Sequence, residues 1–387
     1  MNAPVSHASL AAYVRAVDAL IERSIADAGY EPDQAALLLA GVAFKARRSA
    51  RKPLSSHSLA PCYLTIRAHG LEVDEDAEVI GAGLMIYYFS LDLFDGVQDD
   101  ELEGPYATVG PELAINCAIA LLMLALDVLQ RFVHTLPGGL GPRAAAMMRA
   151  HALRSIRGQH RDLVHRGREV TLADVRTTSI EKSALCAMRM ELCGAYIAAR
   201  TTPAASEIDP RFGVIGDAIA ELRQMVNDVA DLFDGDRSED LRQGTMSMPL
   251  AMYVEAGGDE ARATLRAAQM QQVGEREVQR RVYRAGVMAR VAAQTEAVRT
   301  QVHEAFAGLP CGGPYLALLL AWLDDMPSIY YRPSPLRIAI DVDEADASMM
   351  SDEDRALLET LRGVRRARAQ GGRRPAGPIA QPELMVP

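Results

Sequence analysis

The sequence predicts an all-α bundle, and three observations predict it. Ala and Leu are prominent while only 5% of the 387 residues are aromatic, a composition that favours helix over strand. Apolar residues recur at helical spacing from about residue 8 to 325. No Asn-Gly hairpin signal or sustained strand alternation competes with that pattern. At 49% hydrophobic, the chain can bury one large core of roughly 300 residues with appendages.

Breaks at Gly29, Pro53, Gly70, Gly104-Pro105, Pro137 to Gly139, Gly167, Pro203, Gly235 and Gly257-Gly258 divide this stretch into about ten helices of 12 to 25 residues. The first begins in MNAPVSHASLAAYVRAV, which lacks a basic segment followed by an apolar one, so no signal peptide is expected. GAGLMIYYFSLDLFDGVQDD follows Gly70 as a largely apolar, buried helix that runs into acids. AINCAIALLMLALDVL is the longest apolar run, about 15 residues, short for a membrane span and suited to a core helix. GQHRDL (Gly158 to Leu163) is a polar break in the next helix, and TTSIEKSALCAMRM places Lys182 in an apolar one. AIAELRQMVNDVADLFDGDRSEDLRQGT again ends an apolar helix in oxygen-bearing side chains. After Tyr330 the character changes: two prolines, seven acids between Asp341 and Asp354, a short charged helix and a Pro/Gly tail. Residues 1–330 are therefore read as one helical domain, and 331–387 as a charged extension outside the core, disordered in part.

Charge and cysteine content exclude some functions. A net charge of −10 argues against nucleic-acid binding, which needs a basic face. Five cysteines without paired close spacing suit reduced, buried thiols of a cytoplasmic protein.

Two carboxylate faces carry the candidate chemistry. Asp92, Asp95 and Asp99 stand at i, i+3 and i+7 on one helical face, inside a stretch with six carboxylates between Asp92 and Gly104. Carboxylates at a helix C-terminus oppose the macrodipole and repel one another, though each effect is only a few tenths of a kcal/mol at a surface. A solvated helix end and a metal site both fit this stretch alone. The second face, Asn227, Asp228 and Asp231 with Gln224 one turn earlier, lies about 130 residues on. Two such faces suit a diphosphate held through several Mg²⁺ ions, since hard cations take few protein carboxylates and complete their shell with water and phosphate. Lys182 is either a snorkelling side chain or a phosphate ligand. Gln159 and Asp162 are either ligands or structural hydrogen-bonding groups.

In order, DGVQD (Asp95 to Asp99), GQHRDL, KSA (Lys182 to Ala184), RQMVNDVAD (Arg223 to Asp231) and DLRQGTMSMPL (Asp240 to Leu250) resemble the motifs of the all-trans polyprenyl diphosphate synthases. That family reads DDxxD, GQxxDL, K-[TS]-[GA], FQxxDDxxD and DLxxGKxTxP. The resemblance covers about residues 30 to 325. It implies a class I isoprenoid synthase bundle with a central cavity, a homodimer, Mg²⁺ and a prenyl diphosphate substrate. It further implies Asp95, Asp99, Asn227, Asp228 and Asp231 as metal-site residues, with Asp95, Asp99, Asn227 and Asp231 catalytic. Lys182, Gln224, Gln159, Arg223, Tyr88 and Lys52 are the implied substrate-binding residues.

The departures are informative. Gly96 replaces the second Asp of the first motif, Asn227 the first Asp of the second, and Thr245 the Lys of GKxT. Where the family has two arginines for isopentenyl diphosphate, this chain has Glu101 and Glu103; the basic run Lys45, Arg47, Arg48, Arg51 and Lys52 stands where GKxxRP is expected. The ionising half of the site is kept and the co-substrate half is altered, so a Mg²⁺-dependent terpene synthase on this scaffold is the leading expectation. A chain-elongating prenyltransferase is the first alternative, and a non-catalytic regulatory subunit of a prenyl synthase the second. Ser90 and Leu91, with Tyr87, Tyr88 and Phe89 deeper, suggest room for a mid-length prenyl chain over an aromatic floor.

Overall fold

A computed structural model describes residues 9–50, 57–202, 205–234, 237–326, 342 and 344–369. Among them it is all helix, without strands. The N-terminal half comprises α1 (Leu10–Asp27), α2 (Pro32–Ala50), α3 (Ala60–Ala68), α4 (Glu75–Gln98), α5 (Pro111–Thr135), α6 (Leu140–His165), α7 (Leu172–Lys182) and α8 (Leu185–Thr201). The C-terminal half comprises α9 (Arg211–Phe233), α10 (Glu239–Gln243), α11 (Met248–Gln269), α12 (Glu275–Arg284), α13 (Val287–Ala307), α14 (Gly313–Asp325), α15 (Glu344–Ser348) and α16 (Asp352–Ala369). Several predicted boundaries coincide with the glycine breaks. The Gly257-Gly258 break is instead a kink within α11, where Gly258 leaves helical geometry.

α4 is the central helix, packed on α5, α1 and α8, while α9 lies between α8 and α13. Its start follows the electrostatics of a helix N-terminus. Asp74 accepts from the Asp76 and Ala77 amides, acids fill the first turn, and Arg200 lies 2.8 Å from Asp74. α4 and α5 are long and apolar enough to cross a membrane, but 72% of the apolar window of α4 is buried in the bundle. α5 is buried on one side only; Leu113, Ile115, Ile119 and Met123 are exposed.

The extension expected to stand apart joins the core where it is described. Leu358 and Leu361 of α16 are buried, and so is Asp354. Asp354 accepts from the Leu10 amide (3.1 Å), the Tyr63 hydroxyl (2.7 Å) and the Tyr315 hydroxyl (3.2 Å). One acid of the charged helix thus caps α1 and ties α3 and α14 together, because a buried carboxylate needs several donors. Residues 370–387 lie outside the described residues.

Candidate active site

The site forms where the C-terminal end of α4 meets α6, α7 and α9. An acid-ended helix without a basic residue in its last turn is unfavourable alone. Here the compensating cations come from other helices. Lys182, at the end of α7, places its ammonium 3.4 Å from Asp95 and 3.1 Å from Asp162 of α6. Burial pulls the Lys182 pKa down, but Asp95, Asp162 and Asp99 outweigh it and raise the pKa well above the ordinary value. Arg166, the residue capping α6, donates to Asp99. Gln159 donates to Asp95 and to Gln98, both at 2.8 Å.

Gly158 makes this convergence possible. A Cβ at that position would lie 2.2 Å from the Lys182 amide nitrogen, so only glycine lets α7 end against α6. The Ser155 hydroxyl donates to the Lys182 carbonyl at 3.1 Å and fixes the same contact. Gly96 also has a local reason. The Glu101 amide donates to its carbonyl at 2.7 Å, and a Cβ would stand 3.2 Å from the Glu101 carbonyl. The chain folds back on α4 through Asp100 at φ +57, and the absent second Asp is part of that turn.

On α9, Asp228 is buried and each of its oxygens accepts at 2.7 Å, one from Gln224 Nε2 and one from the Met248 amide. Burial pushes its pKa up to about 6 despite these bonds, with Asp162 adding to the rise. Asp231 caps α10, accepting from the Ser238 hydroxyl and the Glu239 amide (2.9 Å). Asp240, which the motif reading left without a role, is raised strongly by burial and by Asp228 and Asp231. Asn227 is exposed. Lys182, Gln224, Asp228, Asp162, Asp240 and Thr245 line one polar cavity, whereas Asp95, Asp99, Asn227 and Asp231 are not in its lining; Lys182 links that cavity to Asp95 at 3.4 Å.

A second cleft opens along Asp95 and Asp99. Its apolar wall includes Phe89, Leu93, Tyr106 and Leu121. Its rim holds Lys45 and Arg48 of α2, each ion-paired with Glu103, and Lys45 also with Asp92. Arg223 is half-buried on α9, and its charge reaches Tyr88, whose phenol is raised by burial and then by Asp92. Lys52 lies outside the described residues.

For a divalent cation, Asp95 and Asp99 are hard oxygen donors one turn apart on the same cleft. That fits an ion completing its shell with water and phosphate oxygens. Among the described residues no three His, Cys, Asp or Glu side chains converge as a full ligand set, and Asp228 and Asp231 are engaged with protein donors. The sequence reading missed Arg166, which lies three residues beyond GQHRDL and in none of the motif strings.

Comparison with known proteins agrees with this architecture. Residues 102–285 match the family model described as polyprenyl synthetase. A tryptophan prenyltransferase, ComQ of Bacillus subtilis subsp. natto, is 30% identical over 91 residues, 23% of this chain. That match spans 27% of the relative's length. A decaprenyl diphosphate synthase from Rhodobacter capsulatus superposes with a TM-score of 0.68 at 15% identity, covering 84% of this chain and 98% of its own. A polyprenyl synthase from Caulobacter crescentus, in complex with calcium and isoprenyl diphosphate, superposes at 0.63 with 15% identity, covering 85% and 100%. The relatives named here carry prenyl transfer or prenyl diphosphate synthesis in their names, and none is named as a terpene cyclase, the activity expected from the altered motifs. The polyprenyl synthetase model thus matches a little under half of the chain, and the isoprenoid synthase helical fold extends around that match, so the chain is similar to polyprenyl synthetases in its central sequence and in its fold.

Proposed function

We propose that the chain is a prenyltransferase that ionises an allylic prenyl diphosphate and delivers the prenyl group to an acceptor other than isopentenyl diphosphate. The observation that carries the reading is the asymmetry of the site. Lys182 is drawn onto Asp95 at one end of the cleft, while Glu103 neutralises Lys45 and Arg48 at the other.

On the donor side, Lys182 binds the diphosphate as a cation held at the cleft by Asp95 and Asp162. Gln159 orients Asp95 through its amide, and Gln224 reaches the same polar cavity from α9. Asp95 and Asp99 would hold Mg²⁺, which when bound supplies Lewis-acid neutralisation of the leaving group. Phe89, Leu93 and Leu121 exclude water from the allylic carbon, and Tyr88 packs against Phe89 with ring centroids 6.0 Å apart.

On the acceptor side, the rim carries Asp92, Glu101 and Glu103 against Lys45 and Arg48. Among the described residues lining this rim both cations, Lys45 and Arg48, are ion-paired, and each close like-charge pair with a second diphosphate costs roughly 4 kcal/mol at an effective dielectric near 20. An electron-rich neutral acceptor carries no such penalty, and the likeness to a tryptophan prenyltransferase points to an indole. Chain elongation with isopentenyl diphosphate is the second reading. It is supported by the presence of Lys45 and Arg48 in the cleft and by the likeness in fold to diphosphate synthases.

The test is incubation with Mg²⁺ and geranyl, farnesyl or geranylgeranyl diphosphate, with isopentenyl diphosphate or a tryptophan peptide added separately. A prenylated peptide supports the first reading, and a longer diphosphate formed with isopentenyl diphosphate the second. Hydrocarbon release without an acceptor returns the chain to the cyclases.

We also propose a homodimer through the outward stripe of α5, where Ile115, Ile119 and Met123 recur every fourth residue. Met123→Glu is expected to shift the mass measured by light scattering to that of a monomer. An unchanged mass would place the interface elsewhere.

A further inference from the structure

Relative to the motifs it resembles, the chain has lost three cations that would face phosphate: the arginine pair after the first motif and the lysine now replaced by Thr245. One lysine is a weak hold for a diphosphate, whose charge calls for several donors. The structure supplies a cation that no motif predicts. Arg166 leaves α6 at its last turn and reaches back to Asp99, while the preceding residue, His165, lines the cavity of Lys182.

Asp95 and Asp99 are one helical turn apart, about 5–6 Å. Lys182 stands on the first and Arg166 on the second, so two cations flank the carboxylate pair from two different helices. The Arg166 guanidinium is not saturated. Asp99 takes its Nη2, and its Nε is buried without a hydrogen-bond partner among the described residues. A planar fork with a free edge next to a second cation is the geometry that suits a phosphate oxygen.

We infer that Arg166 is a donor-diphosphate ligand, placed by Asp99 and acting opposite Lys182 in place of the lost cations. This rests on the prenyl-transfer reading above and assigns the second positive contact of its leaving group. The Asp99 bond holds the guanidinium beside a carboxylate that lines the cleft, and the side chain, 21% exposed, brings its buried, unpartnered Nε–H to a phosphate by turning outward from Asp99.

The experiment is calorimetric titration of inorganic diphosphate with Mg²⁺ into the full chain, for the unmodified protein, Arg166→Gln, Arg166→Lys and Lys182→Gln. Circular dichroism melts run alongside as a control on folding. The expected result is a loss of affinity of at least about tenfold in Arg166→Gln, partial recovery in Arg166→Lys, and melting within a few degrees of the unmodified protein. The donor KM rises in parallel. Unmodified-like affinity in Arg166→Gln, while Lys182→Gln loses binding, overturns the inference and leaves the prenyl-transfer reading standing. An equal loss in the Gln and Lys variants, matched by a loss of Mg²⁺ affinity without diphosphate, makes Arg166 only the support of Asp99 and also overturns it. Failure of the unmodified protein to bind diphosphate at all removes the reading and the inference together.

Discussion

The carboxylate of Glu103 lies 3.4 Å from the Lys45 ammonium and also pairs with Arg48. The motifs that this chain resembles place arginines near this point; here an acid pairs with two cations of α2. Glu103→Gln frees Arg48 and leaves Lys45 paired with Asp92, and isopentenyl diphosphate affinity is expected to rise about fivefold in calorimetry with Mg²⁺ present. Unchanged affinity would show that the ion pairs do not set acceptor choice.

Gly158 is the close-approach point on which the donor side depends. Gly158→Ala forces a methyl group toward the Lys182 backbone, where the nearest atom is 2.2 Å away. Overpacking of this kind costs about 1–3 kcal/mol, and it separates Lys182 from Asp95. A lowered melting temperature together with a raised donor KM is expected. An unchanged KM would detach Lys182 from donor binding.

Asp354 anchors the C-terminal helix alongside Glu353, which accepts from Ser9, and the buried Leu358 and Leu361. Asp354→Ala leaves two tyrosine hydroxyls and a first-turn amide of α1 without their acceptor. A loss of about 2–4 kcal/mol in chemical denaturation is expected. A loss below about 0.5 kcal/mol would show that α16 contributes little to the core.

His57 gives the fold an acid-side limit. Burial, then the charge of Arg189, lowers its pKa from 6.5 to about 4. A depressed pKa means that the folded state favours neutral imidazole. Its contribution is therefore full above pH 6.5 and lost as pH falls toward 4, by up to about 3 kcal/mol. His57→Gln should flatten stability between pH 6.5 and 4 in urea titrations. An unaltered slope would assign the acid sensitivity to other groups.

The fold and the nearness of Lys182 to Asp95 were legible because they depend on local pattern and motif order. Helical periodicity located α4, α5 and α9, and the motif order put Lys182 and Asp95 in one site. Other features depend on tertiary contacts that no spacing encodes. Asp231 reads as a ligand at i+4 from Asn227, yet the chain after α9 turns back and uses it to cap α10. Arg166 belongs to no motif and becomes visible only when α6 is laid beside α4. Asp354 looks like one of seven solvated acids until α16 meets α1. The cyclase expectation came from reading the lost co-substrate cations as a lost acceptor. The proposed reading takes the ion-paired rim as the mark of a changed acceptor instead.

The most direct measurement of that claim is a competition. Labelled farnesyl diphosphate, Mg²⁺ and the protein are mixed with equimolar isopentenyl diphosphate and a tryptophan peptide, and the prenyl label is traced by mass spectrometry. The account predicts label on the indole and none in a longer diphosphate. Label in geranylgeranyl diphosphate, with the peptide untouched, would contradict it.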